Sequence, residues 1–317
     1  MKAWQRAAAT TEGPSELALN DIAEPSAAAG EVLLDVKAAG VCHTDIGYLN
    51  GSISSLLATS PITLGHEVAG VVAALGDGVT DFAVGDRVAV LCYPTSPGTG
   101  RDGGFQPRLA VQTDLLVRVP DEVAWDQAAA STDAGATSYH AVVTTGRALA
   151  GEKVGIIGLG GVGVLGAQAA LSVGATVYAA DPNEGLHAFA REIGATKVVK
   201  DISELAGEDL DLVVDFAGFG TTTAGAIEVV GEHGRVVQVG LGRIESTINT
   251  WSVVAKQVEY LGSLGGTLDD NAKVLELMAA GKMTSFTQIV GFDDIPAAIE
   301  SVRAGQATKG RFVVSYD

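Results

Sequence analysis

The chain has 317 residues, 47% of them hydrophobic and 18% charged, a balance that suits a folded globular protein too long for one ordinary core. Its net charge of −18 argues against a nucleic-acid partner, because binding phosphates needs clustered Lys and Arg. Two cysteines, Cys42 and Cys92, exclude both a disulfide framework and a structural zinc held by four thiolates. No stretch of about 18 apolar residues is free of breakers and charges, so no membrane span is expected. The N-terminal run "MKAWQRAAATTEGPSE" lacks the apolar core of a secretory signal, and a cytoplasmic location is expected.

The first ~120 residues read as short strands broken by glycine, among them "EVLLDVKAAGV", "HEVAGVVAAL" and "DRVAVLC". The pairs Gly76-Asp77, Gly85-Asp86 and Gly103-Gly104 punctuate them, a pattern that suits a β-rich, barrel-like domain. A helix is expected over Trp125 to Ser131, continuing through "TDAGATSYHAVV". From Lys153 strands alternate with helices: "KVGIIGLG", Val162 to Ser172, "TVYAAD", "NEGLHAFAREIG", "KVV", "LDLVVDFAG", a further helix and "GRVVQVGL". Nearly continuous apolar strands with helical crossovers imply a parallel sheet covered on both faces. "QVEYLGSLGG" offers another strand, and the tail "TKGRFVVSYD" returns to β character, in position to rejoin the first domain.

Gly158, Gly160 and Gly163 stand in G-x-G-x-x-G spacing directly after a strand and at the start of a helix, with Gly161 and Val162 between them. There the first glycine permits a tight turn, the second admits a pyrophosphate against the backbone, and the third allows close helix packing. The next strand ends in Asp181, 18 residues beyond Gly163. A carboxylate there accepts from both ribose hydroxyls of adenosine and repels a 2′-phosphate, which favours NAD over NADP.

"GVCHTDIG" and "LGHEVAGVV" supply Cys42, His43, His66 and Glu67. Thiolate and imidazole suit a catalytic zinc, which takes three protein ligands and leaves one position open. Either residue alone is more often an ordinary core side chain. Asp133 lies in a run of small residues, "AAASTDAGA", where an unpaired charge costs several kcal/mol. Taken alone it reads as a helix cap or a surface carboxylate.

The chain resembles the zinc-dependent alcohol dehydrogenases of the medium-chain dehydrogenase/reductase superfamily. "GHEVAGVVAALGDGV" fits that family's zinc signature, and "GVCHTD", "GDRV", "DGGF", the glycine fingerprint and "KGRFVV" occur in the expected order across almost the whole chain. The resemblance implies a Rossmann doubly wound parallel sheet (residues 126–274) and a β-rich GroES-like catalytic domain (1–125 with 275–317). It implies zinc ligands at Cys42, His66 and Asp133, the last being a variant found among bacterial secondary-alcohol dehydrogenases. Glu67 resembles an acidic residue that approaches the zinc during ligand exchange, and Asp45 the carboxylate that orients the metal-bound histidine. Thr44 resembles the hydroxyl that takes the substrate's proton. His43, Val239 and Arg311 fall at positions that meet the cofactor, the first and last at its pyrophosphate.

The implied chemistry is hydride transfer from a carbinol carbon to NAD+, with zinc polarising the alcohol oxygen. Secondary alcohols and ketones are the expected substrates, and a homodimer or homotetramer the expected assembly. Two departures from the family stand out. Only "CYPTSPGTGR" separates Leu91 from Asp102, where relatives often carry a four-cysteine zinc lobe, so one zinc per chain is expected. Gly47 replaces a histidine that ends the proton relay in some members. A zinc-free quinone or enoyl reductase on the same fold would lack the Cys, His and Glu set. A polyol dehydrogenase would share it, and a non-catalytic NAD-binding sensor would have no use for it. Cys92 reads as a small buried hydrophobe at the end of a strand, or a pocket-lining residue beside Tyr93.

Overall fold

A computed structural model describes residues 1–305 and 310–316. The chain forms two compact units, Met1–Asp133 with Thr267–Ala279 and Ser285–Asp317, and Ala134–Gly266 with Ala280–Thr284. Residues 126–133 and 267–274, which sequence reading joined to the dinucleotide half, pack in the first unit. The helix Trp125–Ala130 lies against the strands Glu31–Gly40 and Glu67–Leu75, and Asn271 Nδ2 donates to the Ser131 carbonyl at 2.8 Å. Residues 280–284 go to the second unit, where Gln168 exchanges hydrogen bonds with the Thr284 backbone at 3.0 and 2.9 Å.

The first unit is built on an extended β-sheet. Its strands run in the order Thr287–Val290, Arg311–Ser315, Glu31–Gly40, Glu67–Leu75, Arg87–Val90 and Leu116–Arg118, with Arg108–Gln112 also paired to Glu31–Gly40. Along residues 31–37 Val32, Leu34 and Val36 are buried while Glu31, Leu33, Asp35 and Lys37 are half-exposed, the period-2 pattern of a strand with one face in the core. The C-terminal strand does rejoin this unit, Val313 to Ser315 pairing antiparallel with Gly40 to Ala38. A small second sheet joins Leu17–Asp21, Lys2–Arg6 and Ile62–Thr63.

The second unit holds a six-stranded, all-parallel sheet. Its order is Lys197–Val199, Thr176–Ala180, Lys153–Ile157, Leu210–Asp215, Val230–Gln238 and Glu259–Gly262. With Lys153–Ile157, the first of these strands in chain order, near the middle and the order reversing beside it, this is the doubly wound Rossmann arrangement. The central strands are buried almost throughout, as a sheet covered on both faces requires.

The helix Gly163–Ser172 starts where the glycine fingerprint ends. A Cβ on Gly163 would sit 1.8 Å from the Gly158 carbonyl oxygen, so this glycine is a packing requirement set by backbone, not by a side chain that could move. Gly163→Ala is therefore expected to lower the melting temperature, costing about 1–3 kcal/mol, whereas Gly207→Ala in the same unit should do less because its Cβ meets nothing within 4 Å and only its φ of 85° is strained. Differential scanning calorimetry of the two variants checks this. Among the described residues no helix is long and apolar enough to cross a membrane.

Candidate active site and metal centre

The helix His43–Asn50 begins at Cys42, whose backbone N–H donates to Asp45 Oδ2 at 2.9 Å. The thiol thus stands at the N-terminal end of this helix. His66 and Glu67 come from the start of the strand Glu67–Leu75 and the residue before it. Gly40 pairs with Glu67 across the sheet, and a Cβ on it would fall 2.0 Å from Glu67 Oε2, so the missing side chain makes the room for this carboxylate.

Asp133 lies in a π-helical turn, Ser131–Gly135, that interrupts the expected α-helix between Trp125–Ala130 and Ala136–Tyr139. A second π-turn covers His140–Thr145. Such single turns bulge the helix wall and recur at functional sites.

Four side chains from these segments meet. One ligand atom from each of Cys42, His66, Glu67 and Asp133 lies within 4.8 Å of the others. Cys42 Sγ is 3.4 Å and His66 Nε2 3.8 Å from Asp133 Oδ2, and His66 Nε2 is 4.0 Å from Glu67 Oε1. All four belong to the first unit. His66 and Glu67 are buried, and Asp133 keeps 21% of its side chain exposed. Both ring nitrogens of His66 and Oε2 of Glu67 are buried without a hydrogen-bond partner, a costly arrangement that a cation at the common point would relieve for His66 Nε2.

The electrostatics have the same origin. Burial pushes the Cys42 thiol up, and the charge of Asp133 adds to it. Burial opposes a charge on His66, but Asp45 and Asp133 outweigh it and raise the imidazole well above its usual range. Burial also raises Glu67, to about 8, against the pull of Arg311. Asp133 resists its own burial through His66 and stays below the ordinary carboxylate range. Cys42 and Glu67 thus tend to hold their protons here, and a divalent cation would favour the deprotonated form of each.

Around the four, Asp45 is fully buried, with Oδ1 3.3 Å from His66 Nδ1 and within 3.4 Å of the Gly65 amide that donates to it. Thr44 is half-buried with Oγ1 3.7 Å from Cys42 Sγ, and His43 is exposed at the head of the helix. Arg311 is buried and donates from Nη1 to Glu67 Oε1, an ion pair that sequence reading did not join. Cys92 also belongs to this neighbourhood: burial pushes its thiol up, against the charge of His66, and its amide donates to the Thr132 carbonyl at 3.3 Å.

In the second unit Gly158 has φ 86°, and nothing lies within 4 Å of a Cβ built on Gly160, so the turn leaves open space over its middle. Gly161 and Val162 complete the turn before the helix. Asp181 follows the strand Thr176–Ala180; its Oδ2 accepts from the Leu159 amide at 2.6 Å and its Oδ1 from Asn183 at 2.8 Å. The glycine turn and the acidic residue are thereby fastened together. Val239 is half-buried and donates to the Asp215 carbonyl at 3.0 Å. His187 is buried with Nε2 2.7 Å from the Asp181 carbonyl oxygen.

Asp215 was not anticipated. Fully buried at the end of Leu210–Asp215, it accepts from the amides of Ala217 and Gly218 and from the hydroxyls of Thr222 and Thr223, all at 2.8–3.0 Å. This holds the turn that abuts Gly158, where Ala217 lies 3.3 Å from a built Cβ. The signal was available: like Asp181, it closes an apolar strand ahead of a glycine turn.

Comparison with known proteins decides the family. Residues 28–121 match the alcohol dehydrogenase GroES-like domain and residues 161–280 the zinc-binding dehydrogenase domain. An alcohol dehydrogenase of Geobacillus stearothermophilus is 30% identical over 98% of this chain and 100% of its own length. The chain belongs to the zinc-binding alcohol dehydrogenase family. Among solved members, acetophenone reductase from Geotrichum candidum in complex with NAD is 30% identical with a TM-score of 0.87, covering 99% of this chain and 96% of that one. The alcohol dehydrogenase of Aeropyrum pernix is 28% identical with a TM-score of 0.88, covering 99% and 100%. The Rossmann sheet and the β-rich domain are thus both present here, together with a Cys-His-Asp group that could bind one catalytic metal.

Proposed function

We propose that this protein is an NAD- and zinc-dependent oxidoreductase that interconverts secondary alcohols and ketones. The convergence of Cys42, His66 and Asp133, beside a buried Glu67 with a free oxygen, carries the reading. Cys42, His66 and Asp133 would hold the zinc, with Glu67 standing by for ligand exchange. The open turn at Gly158, Gly160, Gly161, Val162 and Gly163 would take the dinucleotide's pyrophosphate, with Asp181 at its ribose and Val239, His43 and Arg311 along the cofactor. When bound, the metal supplies Lewis acidity at the alcohol oxygen and the nicotinamide supplies a hydride acceptor.

The chain's own residues do the rest. Thr44 Oγ1 accepts the alcohol proton and passes it on, and Gly47 leaves no imidazole to receive it, so it exits through ribose or water. Asp45 balances the charge of His66. Asp45→Asn is expected to weaken zinc binding ~10- to 100-fold, read by chelator competition on the purified protein. The first unit thus takes the catalytic part and the second the cofactor-binding part.

The ketone class is supported by the acetophenone reductase at 30% identity. A homodimer or homotetramer in the cytoplasm completes the proposal. Glu259–Gly262 ends its sheet among the described residues, and Ile244, Trp251, Val254 and Leu264 of that unit are exposed apolar side chains of the kind a subunit contact covers. The test is a panel of primary, secondary and polyhydric alcohols with NAD+ and NADP+, before and after chelation. Secondary alcohols with NAD+, about one zinc per chain, and loss of turnover on chelation are expected. Freshly purified protein free of zinc would end the proposal.

A further inference from the structure

His66 has a polar neighbour on its Nδ1 side and an aromatic one on its ring. Asp45 Oδ1 stands 3.3 Å from Nδ1, and each oxygen of Asp45 also accepts a backbone amide. The ring itself is borne on by an aromatic side chain. Tyr48 packs against it at 78°, with centroids 6.5 Å apart, in the edge-to-face range that aromatic pairs prefer.

We propose that Tyr48 is the positioning residue for the His66 imidazole, and that Thr99 anchors Tyr48 in that task. The inference rests on His66 being a zinc ligand. Tyr48 is buried and fixed at both ends. Its carbonyl accepts from Arg6 Nε at 3.0 Å, and its hydroxyl shares a 3.0 Å hydrogen bond with that of Thr99. Arg6 is itself fully buried, and its other donors go to neutral oxygens of Thr10, Gly13 and Ser60, which ties the end of the Tyr48 helix to two surrounding loops. Burial keeps the phenol protonated, so this contact does not titrate in the working range.

Thr99 comes from the short loop that stands in place of the four-cysteine lobe. The loop is stiff. Ser96 is fully buried and donates to the Tyr93 carbonyl at 2.7 Å, and the Gly100 amide donates to the Ser96 carbonyl at 2.8 Å. Gly98, at φ 81°, lies flat on the peptide that carries the ligand: a Cβ there would be 2.8 Å from Gly65 C, His66 N and His66 Cα. The loop therefore bears on His66 twice, once through backbone contact and once through the Thr99–Tyr48 pair. Without the ring, a void opens beside the imidazole, and its plane can tilt away from the other ligands.

The test uses the whole protein. Zinc dissociation constants are measured by chromogenic chelator competition, and ligand geometry by the visible spectrum of cobalt-substituted protein. Tyr48→Leu is expected to weaken zinc ~10- to 100-fold, as loss of an outer partner of a metal ligand does, and to shift the cobalt bands. Tyr48→Phe and Thr99→Val should each do less. Their double variant should be no worse than the more damaging single, because both remove one shared bond, and Thr99→Ser should restore wild-type values.

A folded Tyr48→Leu with wild-type zinc affinity and an unchanged cobalt spectrum overturns the proposal. Should that variant fail to fold, Thr99→Val decides in the same way, with an unchanged affinity and spectrum overturning it. Wild-type protein that binds no zinc would instead remove the functional reading and this inference together.

Discussion

Asp133→Ala is expected to leave a folded protein that has lost its zinc and more than ~100-fold of its kcat/KM on a secondary alcohol, a larger loss than removing an outer partner of a ligand brings. The carboxylate oxygen sits 3.4 Å from Cys42 Sγ and 3.8 Å from His66 Nε2, so its removal takes one corner from a three-ligand site. Its surroundings tolerate the change, since the side chain is partly exposed and the turn that carries it is flanked by alanines already buried without difficulty. Asp133→Cys should retain the metal, because a thiolate is a zinc ligand of comparable reach. Metal analysis with parallel kinetics checks both. A zinc content and activity unchanged in Asp133→Ala would return this residue to the role of a helix carboxylate.

Thr44→Val should show the opposite division. Zinc stays at about one per chain, while kcat falls roughly 100- to 10,000-fold, the range for losing a proton-transfer group. Valine matches threonine in shape, so the change removes a hydroxyl and little else. Thr44 Oγ1 lies 3.7 Å from Cys42 Sγ, beside the ligand cluster but outside it, which is where a group serving the substrate oxygen belongs. Thr44→Ser should keep most of the activity. Steady-state kinetics with metal analysis separates the cases: a valine variant turning over at the wild-type rate would exclude Thr44 from proton transfer. Taken as a pair, the two substitutions distinguish holding the metal from handling the proton.

Much of this site was legible in the chain because its chemistry is written in short segments. Cys42, Thr44 and Asp45 are neighbours on one helix turn, His66 and Glu67 are adjacent, and the three glycines act within six residues of one another. Strand alternation and the buried parallel runs were equally local, since side-chain direction follows from position along the backbone. Asp133 was the harder case. Its own segment fits a helix cap as well as a ligand, and only the resemblance favoured the metal.

What the linear order could not convey is contact across distance. Arg311 and Glu67 are 244 residues apart, and no spacing rule links the last strand to the zinc signature. The same holds for Tyr48 against His66, Cys92 beside the ligand cluster, and Arg6 buried among neutral oxygens. The π-turn at Asp133 also escaped notice, since periodicity in a run of alanines is too weak to reveal one inserted residue.

The amino-acid order by itself determined which groups are available: a thiol and an imidazole suited to zinc, one glycine turn with its acidic partner, and too few cysteines for a zinc held by four thiolates. These follow from residue type and near-neighbour spacing, which depend only on covalent connection. The tertiary structure alone decided how those groups are aimed and charged. Burial and through-space fields arise from segments hundreds of residues apart, and they determine that Glu67 faces Arg311, that Asp133 reaches Cys42, and that an aromatic ring sets the plane of His66.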